Sequence, residues 1–274
     1  MTCAWKELLA ILPQWMRQET DKLGKEGAQE LRLRSNAPPE MITGTGSLWL
    51  RGTVSAADLQ FVVNTASRYS PWAAETMAQG YLTAPGGHRI GLCGEAVCRS
   101  GTVTGIRQPD SLCIRIARDF PEIGKGIPTD GSILILGAPG WGKTTLLRDC
   151  ARILSQEKTV VVADERGELF PPGLPRGKRM DVLSLCPKTE GIDRILRTMG
   201  PDYIAVDEIT AQQDCEALVH VFGCGVKLLA SAHASSLEDL KSRSIYRPLI
   251  QHRLFDHILL LNREKQWHPE RSLP

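Results

Sequence analysis

The chain is predicted to be an α/β protein: a parallel sheet with helices on both faces, preceded by a smaller α+β N-terminal domain. Three observations predict this. Beyond residue 131, short apolar runs alternate with helical patterns, the order that builds parallel sheets. Gly137-Ala138-Pro139-Gly140-Trp141-Gly142-Lys143-Thr144 fits G-x-x-x-x-G-K-[ST] in full. Residues 124–131 form a Gly/Pro-containing stretch that reads as a linker. The expected divisions are therefore 1–123 for the N-terminal domain, 124–131 for the linker, 132–262 for the sheet domain and 263–274 for a polar tail that frays.

The N-terminal elements follow from their periodicity. Trp5 to Met16 is amphipathic and reads as one helix, and Glu30 to Arg34 alternates like a strand. Ala56 to Ala66 and Trp72 to Tyr81 read as helices. His88 to Cys98 and Leu112 to Ile116 read as strands.

In the second part, Ser132-Ile133-Leu134-Ile135-Leu136 reads as a buried strand, and Thr145 to Leu154 has helical apolar spacing. A strand feeding a glycine turn that opens a helix aims several backbone N–H groups and the helix dipole at one point, which suits a phosphate. Lys143 would reach the β- and γ-phosphates of a nucleotide, and the Thr144 hydroxyl would ligate Mg²⁺. The turn's remaining residues, Gly137, Ala138, Pro139, Gly140, Trp141 and Gly142, and Thr145 after it, complete the expected cradle for ATP. Trp141 is unusual at a position that is commonly small. It is read either as a ring exposed beside the nucleotide or as one packed on the N-terminal domain.

A second strand, Tyr203-Ile204-Ala205-Val206, ends in Asp207-Glu208. Asp207 is placed to hold the Mg²⁺ shell through water, and Glu208 to orient or deprotonate an attacking water. Both acids also suit the N-terminus of the helix expected from Ala211 to Phe222, but that does not explain the glycine turn upstream. Hydrolysis is the stronger reading, because nucleotide binding alone has no use for the second carboxylate. Two further strands end in polar residues: Thr159 to Ala163 runs into Asp164-Glu165-Arg166-Gly167-Glu168, and Lys227 to Ala232 runs into His233. Ligands of open parallel sheets sit beyond the carboxyl ends of the strands, so these residues converge. His233 is read equally as a γ-phosphate donor and as a structural histidine. Arg194 and Arg197 lie three residues apart on a helix face and read as solvated surface, the alternative being that in a ring either reaches a neighbouring subunit's γ-phosphate as an arginine finger.

Composition bounds the rest. In 274 residues the formal net charge is +2, from 33 basic and 31 acidic residues. That balance makes no case for a nucleic-acid partner, which selects a concentrated basic face. The first residues lack the apolar core of a signal peptide, and no apolar run approaches the ~20 residues of a membrane-spanning helix. The eight cysteines form no C-x-x-C pair, and most are expected to be small buried apolar residues. Cys215, His220 and Cys224 lie on or beside one helix, but their spacing is not a zinc pattern.

The order of glycine turn, acidic cluster, acidic strand end and Ser231-Ala232-His233-Ala234 is similar to that of the secretion ATPase superfamily, which includes type II and type IV secretion and pilus motors. Within it the chain resembles the stage III sporulation AA family. Glu30-Leu31-Arg32-Leu33-Arg34, His88 to Val97, Ile114 to Arg118, Val162 to Arg166 and Met199 to Tyr203 carry that resemblance. It implies a RecA-like P-loop core and an ATPase using ATP and Mg²⁺. It further implies a homo-hexameric ring held at the cytoplasmic face of a membrane by integral membrane proteins of a secretion-like channel between mother cell and forespore. It also implies that arginines ahead of the linker lean onto the phosphates. Arg107 and Arg115 are the candidates, with surface roles equally open, whereas Arg118 reads as surface. Two departures matter. Asp207-Glu208 stands where secretion motors commonly have Gly-Glu. Their acidic box runs Glu-Asp-Pro-x-Glu, so whether Asp164 faces the metal and Glu165 assists catalysis, or the reverse, stays open. A nucleic-acid-dependent ATPase and a nucleotide-gated scaffold are the alternatives.

Overall fold

The computed structural model describes residues 2–67, 77, 80–171 and 173–270. The chain forms two compact units, Met1–Asp119 with Pro171–Leu174, and Phe120–Phe170 with Pro175–Pro274.

In the first unit the expected single helix from Trp5 to Met16 is two, α1 (Trp5–Ala10) and α2 (Gln14–Leu23). Pro13 separates them, since it has no N–H to donate and disfavours helical backbone at the residue before it. The helix α3 (Ala56–Ser67) lies where its apolar spacing places it. The strands β1 (Thr2–Cys3) and β8 (Arg118–Asp119) pair with each other. A six-stranded sheet contains β2 (Ala28–Arg34), β3 (Glu40–Thr43), β4 (Gly46–Trp49), β5 (Tyr81–Thr83), β6 (Arg89–Arg99) and β7 (Thr102–Arg115), in the order β4-β3-β2-β7-β6-β5. All its pairings are antiparallel. Its apolar face supplies Leu31, Leu33, Ile90 and Ile114 to a core shared with Leu8, Met16, Leu59 and Val62. Of the helix expected from Trp72 to Tyr81, residues 72–76 and 78–79 lie outside the described residues, and Tyr81 opens β5 instead.

The second unit is a seven-stranded sheet of β9 (Ile133–Leu136), β10 (Val160–Asp164), β11 (Met180–Ser184), β12 (Tyr203–Ile209), β13 (Lys227–Ala232), β14 (His257–Leu261) and β15 (Trp267–Glu270). The order is β11-β10-β12-β13-β9-β14-β15, parallel except for β15. All four residues of β9 are 0% exposed, as both faces of a parallel sheet are covered. The helices α4 (Lys143–Leu154), α5 (Lys188–Thr198) and α6 (Gln212–Gly223) connect its strands, and α7 (Leu237–Ser242) and α8 (Arg247–Gln251) precede β14.

Three expectations need correction. The polar tail does not fray throughout: Trp267–Glu270 forms an antiparallel strand on β14, and Trp267 Nε1 donates to the Ile123 carbonyl at 2.7 Å. The stretch 124–131 belongs with the second unit, where Asp149 accepts the Gly124 N–H at 2.8 Å. Most cysteines among the described residues are not buried. Cys150 and Cys215 are buried, whereas Cys93, Cys98 and Cys224 are exposed.

Candidate active site

The glycine turn joins β9 to α4. Gly142 stands at the helix N-cap with φ +97°, and Gly140 has φ +78°, backbone that a side chain with a Cβ adopts at a strain. No side chain caps α4 and no acid occupies its first turn, so its leading N–H groups are left for an anion. Lys143 lies over the turn. Its Nζ donates to the carbonyls of Gly137 (2.9 Å) and Ala138 (3.1 Å) and contacts His233 Nδ1 at 3.0 Å. An ammonium can only donate, so Nδ1 accepts and the Nε2–H faces outward. That N–H meets Glu208 Oε1 at 2.5 Å. Burial pushes the Lys143 ammonium below its ordinary pKa, against the pull of Asp207 and Glu208. Trp141 is half-buried within the turn.

The second strand end is more contorted than periodicity suggests. Between Val206 and Ile209 the pairing of β12 with β13 shifts register, and Glu208 adopts φ +53°. A non-glycine residue in that region costs about 1–3 kcal/mol and persists only where its surroundings hold it. The surroundings here are specific. The Glu208 N–H donates to Ser231 Oγ at 2.9 Å, and the Ser231 hydroxyl donates to Asp207 Oδ1 at 2.6 Å. The other Asp207 oxygen accepts from Thr144 Oγ1 at 2.7 Å. Arg166 reaches Glu208 Oε2 at 3.3 Å. Burial alone would raise the Glu208 carboxyl. The His233 hydrogen bond, with the charges of Arg166 and Lys143, outweighs it and holds the group below the usual carboxylate range.

A cavity of about 70 Å³ opens beside these groups, with Thr144, Glu165, Arg166, Lys188, Asp207 and Glu208 in its lining. The structure therefore brings together Lys143, Thr144, Asp207, Glu208, His233 and Glu165, all from the second unit. Asp164 is different. Its oxygens accept the N–H groups of Glu168 (3.0 Å), Leu169 (3.0 Å) and Phe170 (3.1 Å). It is occupied in shaping the loop after β10, with Arg148 holding the Leu169 carbonyl at 2.6 Å from the other side. Both acids line the cavity, and Glu165 is the exposed one of the pair. Its Oε1 accepts the Lys188 N–H at 3.3 Å, and its Oε2 lies 3.8 Å from Lys188 Nζ.

Arg107 and Arg115 belong to the first unit, where Arg107 pairs with Glu95 and Arg115 lies 3.6 Å from Glu30. Arg194 and Arg197 pair with Glu190 and Asp193 along their own helix, as expected of a solvated face. Three residues of the site carry no role in the sequence reading: Arg166, Lys188 and Ser231. Ser231 is a lone hydroxyl in an apolar strand, and Lys188 is a cation at a helix N-terminus, where the dipole prefers acids. Both were signals.

The donor set suits a magnesium–nucleotide complex. An uncapped glycine turn offers N–H groups to phosphates, and one hydroxyl and one carboxylate lie in contact beside it. Among the described residues no group of three or more His, Cys, Asp or Glu side chains could hold a metal by itself.

Residues 5–271 match the family model for sporulation stage III, protein AA. Stage III sporulation protein AA of Bacillus subtilis is 35% identical over 280 residues, covering 94% of this chain and 91% of that protein. Among solved structures, the Legionella pneumophila ATPase DotB superposes with a TM-score of 0.61 at 16% identity, over 94% of this chain and 79% of that one. The pilus retraction motor PilT with bound ADP superposes with a TM-score of 0.63 at 15% identity, over 90% and 76%. At such identity these structures establish the fold, which is the RecA-like arrangement expected. No helix among the described residues is long and apolar enough to cross a membrane. The chain belongs to the sporulation stage III protein AA family.

Proposed function

We propose that this chain hydrolyses ATP as the motor subunit of a sporulation apparatus. One observation carries the reading: the Thr144–Asp207 pair lies beside Glu208, a carboxylate held in strained backbone and kept ionised, at the mouth of an uncapped glycine turn. In this reading the N–H groups of the turn and Lys143 bind the phosphates, with Lys143 exchanging its turn carbonyls for phosphate oxygens. Thr144 Oγ1 and, through water, Asp207 would hold Mg²⁺, with Glu165 rather than Asp164 as the acid of the neighbouring loop that faces it. Mg²⁺, when bound, neutralises charge on the β- and γ-phosphate oxygens. Glu208 takes the proton of a water whose oxygen bonds to the γ-phosphorus as the bond to the β,γ-bridging oxygen breaks. His233 lies between Lys143 and Glu208 and is placed to turn its N–H toward a γ-phosphate oxygen.

The active form we infer is a ring of six copies at the cytoplasmic face of a membrane, on the mother-cell side, attached through integral membrane proteins of the channel. The sporulation family, the likeness of the fold to the ATPase DotB and its likeness to the ADP-bound retraction motor PilT support this reading, and the near-neutral charge gives no footing for nucleic acid. Glu208→Gln should keep nucleotide affinity and lose hydrolysis by about 10²- to 10⁴-fold, the range for a general base. Lys143→Ala should lose binding. Hydrolysis by Glu208→Gln at the wild-type rate would remove Glu208 as the base. Sedimentation velocity of Glu208→Gln with and without Mg-ATP tests the ring: a six-subunit species should form with nucleotide.

A further inference from the structure

Lys188 is the second lysine at the carboxyl edge of this sheet, and its position is costly in two ways. It is 5% exposed, and an ammonium taken out of water loses several kcal/mol of hydration that its partners must return. It also opens α5 directly after Pro187, where the helix dipole opposes a positive charge. A residue whose only task was to fill this space would be better apolar, since buried ion pairs replaced by apolar residues of similar volume are often neutral or stabilising.

Its contacts suggest what it does. Lys188 Nζ donates to the Glu208 backbone carbonyl at 2.7 Å and to Asp214 Oδ2 at 3.1 Å, with Glu165 Oε2 at 3.8 Å. Asp214 is itself committed, because the same oxygen accepts the N–H groups of Thr210 (2.9 Å) and Ala211 (3.1 Å) at the start of α6. Ser231 grips the Glu208 peptide at its N–H, and Lys188 grips the residue at its carbonyl. Between those two contacts lies the φ of +53° that sets the direction of the Glu208 side chain.

Resting on the reading of Glu208 as the base, we propose that Lys188 is a positioning residue for hydrolysis. Its buried ammonium clamps the bulged Glu208 backbone and draws the Glu165 carboxylate to the same side of the cavity. It touches no substrate. Its loss should leave nucleotide binding intact and let Glu208 relax toward ordinary strand backbone, away from the attacking water. Displacements of about 1 Å at a reacting centre lower rates by about 10²-fold.

The test must separate positioning from fold. Lys188→Met alone would strand the Asp214 charge, so the informative protein is Lys188→Met combined with Asp214→Asn. The neutral amide can still accept the N–H groups of α6. We expect a cooperative melt and an affinity for a fluorescent ATP analogue within about threefold of wild type, but a kcat about 10²-fold lower. Asp214→Asn alone leaves Lys188 Nζ on the Glu208 carbonyl with Glu165 as its acidic neighbour, and should keep more of kcat than the double variant. A double variant with wild-type kcat, measured beside an inactive Glu208→Gln, would overturn the role of Lys188 and leave Glu208 as the base. An active Glu208→Gln would overturn both. Should the double variant fail to melt cooperatively, Lys188→Gln is measured in its place, and a kcat within twofold of wild type there overturns the proposal.

Discussion

The two sheets keep their polar residues in different places. In the antiparallel sheet of the first unit, charge alternates with the core along β2. Leu31 and Leu33 face inward while Glu30, Arg32 and Arg34 face outward, and Arg32–Glu30 (3.0 Å) and Arg34–Glu40 (2.7 Å) pair on that outer face. In the second unit the central parallel strands are mostly apolar, and polar groups gather at and just past their carboxyl ends. Lys143, Asp207, Glu208, Ser231, His233 and Glu165 all lie there. The difference is one of geometry. A sheet with one wet face spreads its charges thinly over solvent, whereas a sheet covered on both faces has only its ends in which to place them. Concentration of charge, and with it chemistry, follows from the second arrangement.

The comparison is broken most severely at Ser231. Ser231→Ala leaves the Glu208 N–H and one Asp207 oxygen without their partner, and each buried group stranded in this way costs about 1–3 kcal/mol. ATP turnover should fall by about 10²-fold through misplacement of Glu208, with a lowered melting temperature. Arg32→Ala on the outer face of the other sheet removes one half-exposed ion pair and should shift the melt by no more than about 1 kcal/mol. Equal effects from the two variants would mean that the carboxyl edge of the parallel sheet is not a coupled site.

How legible each region is in the sequence follows from the same contrast. The runs Ile133–Leu136 and Lys227–Ala232 carry their burial in composition, so these strands and the residues at their ends can be read directly. The glycine turn is visible because its backbone demands particular residues. The grip of Lys188 and Ser231 on Glu208 is not visible, because it depends on which strands become neighbours. β12 lies between β10 and β13 only after a crossover of the chain. Asp164 and Glu165 are adjacent in sequence, and only the fold of the loop shows that the first is buried and accepts three N–H groups while the second is exposed and accepts one. β15 has no signature of its own in the sequence, because the fold supplies its partner strand and four residues carry too little periodicity to announce themselves.

A smaller effect concerns a buried titratable group that has nothing to do with catalysis. His88 is 0% exposed. Its Nε2 lies 2.8 Å from the Ala4 carbonyl, and its Nδ1 accepts the Ala117 N–H at 3.1 Å. Burial pushes its pKa below the ordinary histidine value, against the pull of the Ala4 carbonyl and the Glu7 carboxylate. A depressed histidine favours the folded state in full above the unfolded value of about 6.5. That contribution declines as pH falls below 6.5, where the unfolded chain takes up a proton that the folded unit refuses. Melts at pH 7.5 and 5.0 should show the first unit losing stability on acidification, and His88→Gln should lose less. A wild type that melts identically at both values would place His88 in a softer environment than its contacts imply.

The smallest expected effects sharpen the comparison most. Arg107 and Arg115 sit on the wet face of the antiparallel sheet, 65% and 70% exposed, each beside a glutamate of its own unit. As plain surface charges they contribute little, since exposed pairs trade a weak attraction against side-chain ordering and are screened by salt. Arg107→Ala and Arg115→Ala should then leave both the melting temperature and ATP turnover unchanged. The family resemblance makes a different demand: an arginine that leans onto a phosphate would lower turnover when removed, with no change in melting. Turnover at high and low salt divides the cases further, because a contact to a phosphate group survives screening better when it is drawn out of water. A loss of turnover confined to these variants would mean that the polar face of the first unit is held in reserve for the nucleotide, and that chemistry is concentrated at the strand ends only while the site is unliganded.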